Sequence, residues 1–95
     1  MKVFRWNGAK NKRLKRQRGV SFEAVVLSIV EGGLLDILEH PNPARYPNQK
    51  LFVVRIADYA FLVPFVETAD AVFLKTIIPS RKATRTYLPE EEADA

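Results

Sequence analysis

The chain has no cysteine, a single histidine, four glycines and not one acidic side chain among its first 19 residues. Without cysteine there is no disulfide, no thiolate metal ligand and no cysteine nucleophile. One imidazole, His40, argues against a His-based zinc site or a proton-shuttling pair and, in its Pro-rich loop, is expected at the surface. No apolar run approaches the roughly 18–20 residues of a bilayer-spanning helix. No basic-then-apolar leader opens the chain either, so a cytoplasmic location is expected, with no membrane partner. Also missing are a Walker loop, a dinucleotide fingerprint, a GxSxG elbow, an HExxH pair and a metal-binding carboxylate pattern. Nucleotide-dependent and conventional hydrolytic chemistry lack their parts, and neither a cofactor nor a metal is expected.

What the chain does have is concentrated positive charge. Lys10, Lys12, Arg13, Lys15, Arg16 and Arg18 fall within nine residues, and residues 1–19 hold eight Lys or Arg in all. Such a cluster repels itself until a polyanion occupies it, which points to nucleic acid. The opposite charge sits at the far end, in Glu90, Glu91, Glu92 and Asp94. Residues 89–95 read as an acidic tail, either screening the basic face or simply frayed. Ninety-five residues, 47% of them hydrophobic, suit one folded domain over residues 1–88.

Lys2 to Trp6 alternates as a short strand, and Asn7 is placed to cap a helix from Gly8 to Arg18 whose only apolar contacts are Ala9 and Leu14. Gly19 ends that helix and Ser21 opens the next. Phe22, Val25, Val26, Ile29 and Val30 then recur at the spacing of a buried helical face, with Gly32-Gly33 as its exit. Strands follow at Leu34–Glu39, Lys50–Ala57, Ala60–Glu67 and Ala71–Ile78, punctuated by short turns that imply an antiparallel meander. Pro64 demands a bulge or an edge in the third of these runs. Pro79-Ser80 introduces a short helix through Tyr87. The expected fold is α+β: two N-terminal helices packed on an antiparallel four- to five-stranded sheet, with a short C-terminal helix.

The second basic cluster is Arg81, Lys82 and Arg85, with Arg81 and Lys82 in a helix first turn that repels cations unless an anion, a phosphate or a carboxylate of the fold, is present. Arg55 and Lys75 lie in otherwise apolar strands. Arg55 reads either as a partner of Asp58 or Glu67, or as one of a cationic set with Lys75, Arg81 and Arg85. Tyr46, Tyr59 and Tyr87 could stack on bases. One chemistry needs only Lys, Arg and Tyr: cleavage of RNA by its own 2′-hydroxyl. A base removes that proton, cations offset the phosphorane charge, and an acid protonates the leaving 5′-oxygen.

Phe4-Arg-Trp-Asn7, Lys10, Arg18-Gly-Val-Ser-Phe-Glu-Ala24 and Ile78-Pro-Ser-Arg-Lys-Ala-Thr-Arg85 resemble, in order, the F-x-W-D-x-x-K, K-H-G-V-S-F-E-E-A and I-S-A-R-K-A-T-R-x-E blocks of BrnT-type toxins of bacterial type II toxin–antitoxin systems. The match spans most of residues 3–86. Asn7 replaces the family's usual Asp, Arg18 its His and Thr76 a frequent Arg, and Thr86-Tyr87 follows Arg85 in place of the usual Glu. The resemblance implies a RelE-like fold, a metal-independent ribonuclease that inhibits translation, and a cognate ribbon-helix-helix antitoxin. The toxin would contact operator DNA only through that antitoxin, in a hetero-oligomer. It further implies that Lys10, Arg81, Lys82 and Arg85 contact phosphate or take part in catalysis; in an RNA-cleaving site Arg81 and Arg85 would hold the scissile phosphate and Lys82 or Lys75 would act as base or charge stabiliser. Tyr87 corresponds by analogy to a C-terminal tyrosine of RelE-like sites. Lys10, Lys12, Arg13, Lys15, Arg16, Arg18 and Arg55 would grip flanking RNA or the ribosome. Two alternatives stay open at this level: a gyrase-directed ParE-like toxin and a nucleic-acid-binding module without catalysis.

Overall fold

The computed structural model describes residues 2–89, so the acidic run from Glu90 onward lies outside the described residues. The first strand, β1 (Val3–Arg5), gives way to α1 (Gly8–Arg18) because Asn7, in extended backbone, accepts the Lys10 N–H on its side-chain oxygen at 2.9 Å. Asn and Asp cap equally well, so the exchange of one for the other at this position keeps the helix start intact. Gly19 closes α1 at φ 69°, a left-handed geometry that a Cβ would strain, and returns its N–H to the Lys15 carbonyl. Ser21 then caps α2 (Phe22–Val30) through the Ala24 N–H. The rest is β2 (Leu34–Glu39), β3 (Gln49–Ile56), β4 (Tyr59–Glu67), β5 (Ala71–Leu74), β6 (Ile78–Pro79) and α3 (Arg81–Tyr87).

The sheet runs β1-β5-β4-β3-β2, with β6 pairing β4 beyond the end of β5. Strands β2 to β5 form the expected antiparallel meander, but β1 joins β5 in parallel, with Val3 opposite Ala71 and Arg5 opposite Phe73. The sheet is therefore mixed and six-stranded, not purely antiparallel. The cause is connectivity: α1 and α2 return the chain so that β2 starts opposite in direction to β1, and three hairpin reversals then leave β5 parallel to it.

Helices α1 and α2 cover one face, where Leu14, Phe22 and Val25 pack on Phe52, Val54, Val63, Phe65 and Leu74. Trp6, following β1, stacks on Phe22 with centroids 5.8 Å apart and ties that strand to the same core. On the opposite face Ala83, Tyr87 and Leu88 of the α3 segment pack on Val53, Ala60, Leu62, Leu35 and Leu38. Two expectations fail locally. Val30 is 73% exposed, because α2 ends there and its last turn overhangs the sheet. Ala9 is exposed too; beside Leu14 the residue that α1 buries is Asn11, whose side-chain oxygen accepts the Phe22 N–H at 2.8 Å and whose amide donates to Glu23 Oε1 at 2.8 Å.

Pro64 is not on an edge strand, and the irregularity it demands falls in the neighbouring strand, not in its own pairing with β3. It is buried in β4, opposite Leu51 in an unbroken register with β3. Its carbonyl, on the β5 side, accepts the Lys75 N–H at 2.8 Å, and the N and O of one strand residue point to the same edge. The N–H that proline lacks would thus face the point where β5 has ended. Leu74 lies opposite Phe65 and Ile78 opposite Leu62, so four residues advance against three and β6 resumes one residue out of register. The expected continuous strand Ala71–Ile78 is broken at Lys75–Ile77 for this reason, and the break places Lys75 at the rim of the sheet.

Candidate nucleic-acid interface

At this break α1 meets β5. Asn7, Ala9, Lys10 and Arg13 from the start of α1, Phe73 from β5 and Lys75 just beyond its end line an open groove of about 480 Å³. Three cations thus converge from two segments 60 residues apart in sequence. Among the described residues none of them lies within 4.0 Å of a carboxylate; the ion pairs are Lys2 with Glu67, Lys15 with Glu23 and Arg55 with Asp58. The Lys75 ammonium sits 5.4 Å from the centre of the Phe73 ring. Cations held together without an acid, on a surface open to solvent, suit a phosphodiester backbone.

The remaining expected residues distribute as follows. Lys12, Arg13, Lys15 and Arg16 are exposed on α1, next to the groove, with Lys15 3.7 Å from Glu23. Glu23 is held below the usual carboxylate range chiefly by the Asn11 amide, with Lys15 a lesser cause. Arg18 is engaged in the fold: its guanidinium donates to the Ile77 carbonyl, pinning the end of α1 to the off-ladder segment. Arg55 takes its first reading: it donates to the Ala57 carbonyl and to Asp58 Oδ1, both at 3.2 Å, and takes no part in the groove.

Arg81, Lys82 and Arg85 are exposed on α3, whose inward side is formed by Ala83, Thr84 and Tyr87. None of the three lines the groove or makes an ion pair among the described residues. The Ala83 N–H of the first turn is already taken by Ser80 Oγ at 3.0 Å. Tyr87 is half-buried and donates its hydroxyl to Asp36 Oδ2 at 2.6 Å, fastening α3 to β2. That bond is the main cause that lowers Asp36 and raises Tyr87 from their ordinary values. Tyr46 stacks on His40, centroids 4.5 Å apart, in the loop before β3, and Tyr59 packs edge-on against Phe61. The aromatic in the groove is Phe73, which sequence reasoning missed. Its signal was available: Phe73 and Lys75 alternate at strand spacing and so share a face.

A second cleft of about 320 Å³, between α2 and the end of β3, holds a single cation, Arg55, already paired with Asp58. Among the described residues no group of three or more His, Cys, Asp or Glu is placed to hold a metal ion. No helix of the described residues is long and apolar enough to cross a membrane. No protein-family profile, curated protein or solved structure matches this chain.

Proposed function

We propose that the chain is a RelE-like ribonuclease toxin of the BrnT type, acting on RNA in the cytoplasm and neutralised by a cognate antitoxin. The observation that carries this reading is the convergence of Lys10, Arg13 and Lys75, free of acidic partners among the described residues, around one open groove beside a cationic helix. Two helices on one face of a sheet and a short helix on the other are in keeping with the fold that the resemblance implies. In this reading the neutral amine of Lys75 takes the 2′-hydroxyl proton, and the 2′-oxygen attacks phosphorus. Lys10 and Arg13 offset the phosphorane charge. The P–O5′ bond then breaks, Lys10 protonates the departing 5′-oxygen, and a 2′,3′-cyclic phosphate remains. The exposed cations of α1 hold flanking RNA by its backbone, with little choice of sequence. Arg81, Lys82 and Arg85 extend the cationic surface on α3. A ribbon-helix-helix antitoxin with acidic and apolar segments would cover the groove and carry the pair to operator DNA as a hetero-oligomer.

The test is to express the chain alone in a bacterial host, beside Lys10→Ala/Lys75→Ala and Arg81→Ala/Arg85→Ala variants, and to follow growth and total RNA. Growth arrest with new 5′-hydroxyl RNA ends that vanish in the groove variant supports the reading. Loss in the α3 variant alone would move the site to Arg81 and Arg85. Arrest with intact RNA and broken DNA would point to gyrase, and no arrest to a binding module.

A further inference from the structure

The groove contains a feature that phosphate binding alone does not require. Phe73 is half-buried, the Lys75 ammonium just beyond β5 lies over its ring, and its parallel neighbour across the ladder is Arg5, so the ring adjoins one cation along the chain and another across the ladder. Arg5 is exposed and, like Lys75, makes no ion pair among the described residues. Lys10 and Arg13 line the same groove. An aromatic ring flanked by cations at the spacing of neighbouring strand residues matches what a single strand presents: a base with a π-face between two phosphates. A duplex cannot present this, because its bases are stacked on each other and its phosphates face outward.

We propose that Phe73 is a stacking platform for one unpaired base, with Lys75, Lys10 and Arg13 on the phosphate to one side of it and Arg5 on the phosphate to the other. The groove's ligand is then single-stranded RNA; structured helical RNA is excluded until it opens. This inference rests on the proposed RNA-directed function but concerns binding alone. The Lys75 ammonium, now over the ring, moves to the phosphate when the base arrives, a shift open to a long exposed side chain. Affinity should fall with salt, as for any backbone contact, while the stacking part should not.

The experiment uses fluorescence anisotropy of the full chain with a 10-nucleotide single strand of DNA, which lacks the 2′-hydroxyl and so reports binding without cleavage, then with RNA of the same sequence and with the corresponding duplex. Phe73→Leu keeps an apolar side chain against the sheet and Phe73→Trp keeps the π-face; thermal melts verify that both are folded. The expected result is single-strand binding that weakens about tenfold in Phe73→Leu, is retained in Phe73→Trp, and exceeds duplex binding by at least about tenfold. Equal affinity of Phe73→Leu and wild type, or of duplex and single strand, would overturn the proposal, as would no binding at all. Phe73-dependent binding without RNA cleavage would leave the platform standing and remove the ribonuclease.

Discussion

Replacing Asn11 by alanine should unseat α1, and with it the wall of the groove. Asn11 is 5% exposed and joins the two helices through one amide: its oxygen takes the Phe22 N–H, an orphan donor of the first turn of α2, and its nitrogen reaches Glu23. The Phe22 side chain is fully buried, so no water replaces the missing acceptor easily. An orphaned buried N–H costs about 1–3 kcal/mol, and losing the bond to the more exposed Glu23 adds up to about 1 kcal/mol. Alanine's better helix propensity returns only about 0.6 kcal/mol, too little to cancel this. The net loss is centred on about 2 kcal/mol, a large part of the roughly 5–15 kcal/mol that holds a domain together. At about 4–8 °C per kcal/mol for a chain of this size, the melting midpoint should fall by about 8–16 °C. Asn11→Asp is the control, since it keeps the acceptor but sets a second carboxylate against Glu23. Its deficit should shrink as pH falls through the carboxylate range, opposite to the wild type. There Glu23, with a lowered pKa, contributes stability above its ordinary 4.5 that is lost as pH falls through the folded value. Urea titrations from pH 3 to 7 on all three proteins read this out. A midpoint for Asn11→Ala within about 3 °C of wild type, or an Asn11→Asp deficit indifferent to pH, would refute the bridge.

Three other outcomes follow from the same structure. A Cβ at Gly33 would stand 2.9 Å from the Ser28 carbonyl oxygen and closer still to its Oγ, at a residue whose own N–H and C=O bond Ser28 and Arg55, so Gly33→Ala should cost about 1–3 kcal/mol in urea unfolding. Tyr87→Phe should flatten the pH dependence of stability at both ends. The lowered Asp36 contributes above its ordinary 3.8 and loses this on acidification, while the raised Tyr87 contributes below its ordinary 10.0 and loses this as pH rises through the folded value; thermal melts from pH 2 to 11 test both limbs. Removing Lys10 and Lys75 should reduce the dependence of log affinity on log salt by about 0.7 for each phosphate no longer neutralised, whereas Phe73→Leu should leave that slope unchanged.

The local devices were legible because they depend on neighbours in sequence. Asn7, Gly19, Ser21 and Ser80 sit where the chain must satisfy orphan helix amides or enter a left-handed turn, and each acts there as its chemistry dictates. Alternation likewise placed β2 and nearly all of β3 and β4. Asn11 was not legible as a core residue, since a polar side chain is buried only when partners from another element satisfy it, and Phe22 and Glu23 belong to the next helix. Nor was the break after Leu74 legible within its own strand, where apolar residues resume at Ile77-Ile78 after Lys75-Thr76; it arises because the neighbouring strand carries Pro64, which has no N–H to offer at that point.

Charge follows the same division at the level of the site. The sequence by itself determined that the chain is basic at its start, lacks the side chains of thiol or imidazole chemistry, and folds as an α+β domain. It offered Arg81, Lys82, Arg85 and Lys75 for catalysis and Lys10 and Arg55 for RNA binding, but a sequence counts charges without their distances. Only the tertiary structure decided that Arg55 is tied to Asp58, that Arg18 holds a backbone carbonyl, and that Lys10, Arg13 and Lys75 line one groove with Phe73. Coulombic attraction depends on separation and exposure, and both are set by which strand lies beside which.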